Sequence, residues 1–128
     1  YYKVVRVHKN SVHTALYSPS IWDRSTVRVR YLPTIWTEPF IPNSMLFVFN
    51  DLKLARKFAS YSEDRTVWRC EARLPRKPIT RMPITVEGEK TGGLIRNWRR
   101  ARLGQPSHTT QLMPGTVLAE AVMLIEEI

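Results

Sequence analysis

The chain is 128 residues long and 43% hydrophobic, with 20 Lys and Arg against 11 Asp and Glu, a formal net charge of +9. That length supports one hydrophobic core and excludes two, and the apolar content, with four Trp, excludes a disordered basic tail. A single cysteine, Cys70, excludes an internal disulfide, and no uncharged stretch reaches the ~20 apolar residues that cross a bilayer.

Tyr2 to Val7 is rich in β-branched and aromatic residues and predicts a strand. A turn at Lys9-Asn10-Ser11 leads into a second strand from Val12 to Tyr17, so the two form a hairpin that Ser18-Pro19-Ser20 ends. Val27 to Tyr31 alternates, placing Val27, Val29 and Tyr31 on one face and Arg28 and Arg30 on the other. Pro33, Pro39 and Pro42 then mark an irregular connection that carries Trp36 and Phe40 into the edge of the core.

Met45 to Phe49 is a continuous apolar run, as in a central strand covered on both faces. A helix follows from Asp51 to Ser60, with Asn50 or Asp51 as its cap. Leu52, Ala55, Phe58 and Ala59 face inward, and Lys53, Arg56 and Lys57 face outward. Beyond Ser62-Glu63-Asp64, an alternating strand points Trp68, Cys70, Ala72 and Leu74 inward and Arg65, Arg69, Glu71 and Arg73 outward, with Val67 an apolar exception on the outer side. Pro75 to Pro83 predicts an extended surface segment and Glu87 to Gly93 a polar loop. Leu94 to Leu103 predicts a short basic helix, with Leu94, Ile95, Trp98 and Ala101 as a narrow apolar stripe, stopped by Gly104. Thr116 to Ile128 fits a helix or a buried strand equally by periodicity.

The charge is local in sequence. Arg65 to Arg102 holds eleven basic residues, nine of them Arg, against Glu71, Glu87 and Glu89, a net of +8. The planar Arg fork suits phosphate, carboxylate and base faces better than the Lys point charge does. Nucleic acid is the favoured partner. The expected contacts are Arg96, Arg99, Arg100 and Arg102 on the helix and Arg76, Lys77 and Arg81 on the extended segment, with Trp98 as the stacking candidate. Such contacts go to the backbone and carry little sequence preference. The alternative is a virion structural or assembly role, in which the same surface, with exposed aromatics such as Trp36 or Trp98, docks on an acidic viral or host protein. A homo-oligomer is compatible with either.

Other chemistries find little footing. His8, His13 and His108 are scattered, Cys70 reads as a core residue, and His8 with His13 across the hairpin lack a third ligand, so neither metal nor cofactor is expected. No GxSxG elbow is present, and Gly92-Gly93 matches neither a P-loop nor a dinucleotide fingerprint. An ADP-ribosyltransferase-like pattern would use Arg6 or His8 with Glu120, but its intervening Ser-Thr-Ser or Tyr feature is missing. Glu120 therefore reads as solvent-facing, and the expected role is non-enzymatic.

The order of Phe47-Val48-Phe49, Leu52 to Ala59, Val67 to Glu71 and Gly115 to Ala119 resembles that of small uncharacterised proteins encoded by phages, prophages and environmental viral genomes. The resemblance implies a compact α+β fold, a strand for the last element, and a viral or mobile-element source. It supplies no catalytic residues, and Arg96 to Arg102 falls outside its pattern. The host cytoplasm or the virion is the expected location, since no signal peptide opens the chain and no membrane association is expected. The first residue is Tyr1 rather than Met, which leaves open a native chain that extends before it. The reading is one α+β domain over residues 1–128, a mostly antiparallel sheet with one or two short helices packed on it and an Arg-rich segment at 65–102.

Overall fold

A computed structural model describes residues 1–9, 14–19, 29–41, 44–77, 81–83, 91–107 and 109–128. Outside these lie the hairpin turn with His13, the residues Val27 and Arg28, the polar loop up to Lys90, and His108. The elements in chain order are β1 (Tyr2–Lys9), β2 (Thr14–Tyr17), β3 (Arg30–Tyr31), β4 (Leu46–Phe49), α1 (Leu52–Ala59), β5 (Arg65–Arg73), β6 (Arg81–Pro83), α2 (Thr91–Arg102), β7 (Thr109–Gln111), β8 (Thr116–Ala119) and β9 (Ala121–Glu127). The fold is α+β, and every strand pairing is antiparallel.

One seven-stranded sheet organises the molecule. Its pairing runs β3-β2-β1-β4-β8, while β5 lies between β1 and β9. Because β8 and β9 are consecutive, separated only by Glu120, the circuit β1-β4-β8-β9-β5 returns to β1 through the chain itself. Two backbone bonds fasten the seam at that corner: Glu120 N–H to the Arg73 carbonyl at 2.9 Å and Arg76 N–H to the Leu118 carbonyl at 2.8 Å. A closed circuit leaves fewer unpaired edges than a flat sheet of the same strands.

Alternation along each strand then assigns two cores. Val5, Leu16, Tyr31, Leu46, Val48, Cys70, Val117 and Leu124 fill the side enclosed by the circuit. On the other side α1 covers Val4, Phe49 and Val67 with Ala55, Leu52 and Phe58. The α1 cap is Asp51, whose carboxylate accepts from Leu54 N–H at 3.0 Å and satisfies one of the free donors of the first turn. Phe58 meets Phe47 and Phe49 at ring-centroid distances of 6.0 and 5.5 Å. Gly115, at φ +81°, closes the approach to β8. A Cβ there would lie 2.5 Å from Leu54 Cδ1.

Several expectations need correction. Val67 is buried beneath α1, because β5 is covered on both faces at its start. Leu74 is exposed: its φ of +47° turns the chain out of the ladder toward the end of β8. Trp36 and Phe40 stay at the surface, 37% and 62% exposed, and Ile41 takes the core place instead. The proline-rich segment is extended as expected, but Arg81–Pro83 is a strand paired with β7 in a separate two-stranded sheet. Helix α2 begins at Thr91, so Gly92 and Gly93 belong to it rather than to the preceding loop. The final element is strand, broken in two at Glu120 so that its halves pair with β4 and β5 respectively.

Candidate nucleic-acid interface

Helix α2 is anchored by one large side chain. Trp98 is 5% exposed and packs with Ile41 and Leu118, and Ile95 lies against the same cluster. Trp98 therefore cannot stack on a base, because burying it is what seats the helix. Asn97, the residue before Trp98, is equally buried. At its far end α2 stops in a Schellman arrangement, with Gln105 N–H bonded to the Arg100 carbonyl at 2.8 Å and Gly104 N–H to the Ala101 carbonyl at 3.2 Å. Gly104 supplies the left-handed residue at φ +72°.

Seating Trp98 inward turns Arg96, Arg99 and Arg100 outward. They recur at i, i+3 and i+4, and all three are exposed. None of them makes an ion pair among the described residues. Lys77 is also exposed.

The other expected contacts are differently placed. Arg76 Nη2 lies 3.2 Å from Glu120 Oε1, and Arg102 donates to the same oxygen from Nη1 and Nη2, each at 3.2 Å. Arg102 Nη1 also reaches Met45 Sδ at 3.4 Å. Arg81 donates to the Thr109 hydroxyl at 2.7 Å and the Thr109 carbonyl at 3.0 Å, bonds that bind β6 to β7. Glu120 is thus a paired carboxylate at the seam, not a solvent-facing one.

Further arginines of the basic segment are paired with acids from outside it. Arg69 Nε sits 2.8 Å from Glu126, which holds its pKa above the ordinary value through the hydrogen bond. Arg73 lies 3.7 Å from Glu38, with its guanidinium 4.6 Å from the Trp36 ring. The +8 of the sequence segment is therefore partly offset in space. Among the described residues of the segment, the arginines without an ion pair include Arg96, Arg99 and Arg100 of α2.

A cleft of about 310 Å³ opens at the seam, lined by Glu38, Ile41, Ser44, Arg73, Arg102 and Glu120. Elsewhere the molecule buries one cation that sequence reasoning passed over. Lys3 is fully enclosed; its Nζ donates to the Phe47 carbonyl at 2.7 Å and lies 3.8 Å from the Phe47 ring centroid. β1 and β4 share a single register pair, Tyr2 with Phe49, and Lys3 supplies a hydrogen bond where the two strands part. Desolvation lowers its pKa to about 7, against a smaller opposing pull from Cys70. Burial raises the Cys70 thiol to about 11 and pushes the Tyr31 hydroxyl further up as well. Only the period-2 alignment of Lys3 with Val5 and Val7 signals this in the sequence.

Arg6 is engaged with Asp64 at 2.9 Å. Among the described residues no three His, Cys, Asp or Glu side chains converge to hold a metal ion, and no helix is long and apolar enough to cross a membrane. Comparisons with family models, with curated proteins and with solved structures find no match.

Proposed function

We propose that the protein is a non-enzymatic binding module that docks on nucleic acid through the outer flank of α2. The observation that carries this reading is the row of Arg96, Arg99 and Arg100, exposed and without an ion pair among the described residues, on a helix whose opposite side is fixed by Trp98. Three cations on a rigid element suit backbone phosphates, because each contact releases condensed counterions and no side chain must leave an internal partner first. Lys77, also exposed, adds charge and makes no ion pair among the described residues. Arg81 contributes less, since its guanidinium already bonds Thr109.

Binding of a labelled oligonucleotide, followed by anisotropy as salt is varied, tests the reading. Log affinity should fall with log salt by about 0.7 per phosphate neutralised on a single strand, and replacing Arg96, Arg99 and Arg100 together by Ala should reduce the slope by about 2. An unchanged slope removes the α2 flank from the interface. Absence of oligonucleotide binding at low salt, with discrete assemblies in light scattering, favours docking on an acidic protein instead.

A further inference from the structure

Glu120 occupies a place whose chemistry suits a phosphate. One carboxylate oxygen, Oε1, receives three hydrogen bonds from the guanidinium groups of Arg76 and Arg102, all at 3.2 Å. A pair of arginine forks around a single oxyanion recognises phosphate oxygens by the same geometry. The carboxylate sits on the single residue that separates β8 from β9, tied through its backbone N–H to Arg73. Its side chain is 27% exposed, and Glu120 belongs to neither the β4–β8 nor the β5–β9 register, so displacing its carboxylate breaks no ladder pair.

Beside it lies the seam cleft. Its lining includes Arg73, whose guanidinium lies 4.6 Å from the centroid of the Trp36 ring, and Trp36 itself is 37% exposed. Arg102 is the last residue of α2, the helix that carries the unpaired arginines, so cleft and flank are joined by one rigid element.

We propose that the seam cleft is a nucleotide subsite for single-stranded nucleic acid, in which a backbone phosphate displaces the Glu120 carboxylate from between Arg76 and Arg102 and the neighbouring base stacks on Trp36. The proposal rests on the nucleic-acid reading of α2 and adds a second contact to it. Glu120 then acts as an internal competitor that holds both arginines in position and weakens binding until it is displaced. Single strands are specified because stacking on an exposed indole needs an unpaired base, which a duplex does not offer.

The test uses a fluorescein-labelled ten-nucleotide oligothymidine and its duplex with oligoadenosine, titrated against the wild type, Glu120→Gln, Trp36→Leu and, as a control for net charge, Glu63→Gln. Glu63 is exposed and makes no ion pair among the described residues. Glu120→Gln should raise affinity for the single strand about tenfold at low salt and steepen the slope by about 0.7, while Glu63→Gln should change it far less. Trp36→Leu should weaken single-strand binding about 5- to 100-fold and leave the duplex unaffected. Equal gains from Glu120→Gln and Glu63→Gln overturn the proposal, as does an unchanged or weaker affinity in a Glu120→Gln protein that melts cooperatively. Should Glu120→Gln fail to fold, Trp36→Leu decides alone, since its ring is at the surface, and wild-type single-strand binding overturns the subsite. Loss of binding only in the triple α2 variant removes the cleft and keeps the α2 reading. No oligonucleotide binding by any form removes both.

Discussion

The arginines of the seam and the arginines of α2 come from nearly the same stretch of sequence, yet they meet opposite surroundings. Arg69, Arg73, Arg76 and Arg102 each face a carboxylate contributed from outside the basic segment, by Glu126, Glu38 and Glu120. Arg96, Arg99 and Arg100 face solvent. The first set fastens strand ends and loops to one another, so a ligand reaches its charge only by displacing a carboxylate. The second set rests on a helix held by an indole and asks nothing of the fold. Density of charge along a chain therefore says less about a binding surface than the distance from each cation to its nearest anion.

The most severe way to break this contrast is to remove the indole that maintains it. Trp98→Ala should cost about 3–5 kcal/mol, measured by urea denaturation, and should release α2 before the sheet unfolds. A fully cooperative transition at wild-type stability would show that α2 is held by something else.

Next in size is a pH effect that arises in the sheet. Lys3 has a pKa near 7 when folded, against 10.5 for the free side chain. Below pH 7 both states carry the proton, and the burial penalty is constant. Between pH 7 and 10.5 the unfolded chain binds a proton that the folded chain has released, so stability rises with pH, by an amount on the order of a few kcal/mol. Cys70 opposes this above pH 9, because the folded thiol keeps its proton up to about pH 11 while the unfolded one loses it. Thermal melts should therefore find maximum stability on the alkaline side, near pH 9 to 10. Lys3→Met should abolish the rise; if it persists in that variant, Lys3 is not its source.

A smaller effect separates strain from charge. Gly115→Ala places a Cβ against Leu54 at a backbone conformation that side chains avoid, and should cost about 1–3 kcal/mol in chemical denaturation without altering oligonucleotide affinity. Smallest of all, Glu126→Gln breaks an exposed pair with Arg69, and its melting temperature should be indistinguishable from wild type. A clear loss there would mean that the seam arginines fasten the sheet more firmly than solvent-exposed pairs do.

What the sequence disclosed followed distance along the chain. The helix from Asp51 to Ser60 was legible because its cap and its apolar spacing lie within ten residues of each other, and the structure places Asp51 at the cap. Val67 lies on the outer face, as the alternation indicates, but β5 alone cannot reveal that a helix covers that end of the face and buries it. For Trp98 the apolar stripe was visible, but what covers it, Ile41 and Leu118, comes from distant positions. The cleft was hidden for the same reason: Glu120 meets Arg76 across 44 residues and Arg102 across 18. No local pattern marks such a meeting.

The sharing of one bent strand between β4 and β5 has a consequence for biosynthesis. Residues 116–127 leave the ribosome after every other strand described above, and until they dock, β4 and β5 each present an open ladder edge above an uncovered apolar interior. The nascent chain is then most exposed to intermolecular pairing just before synthesis of this segment is complete, and a holdase that shields those two edges would matter more for its yield than any gain in final stability.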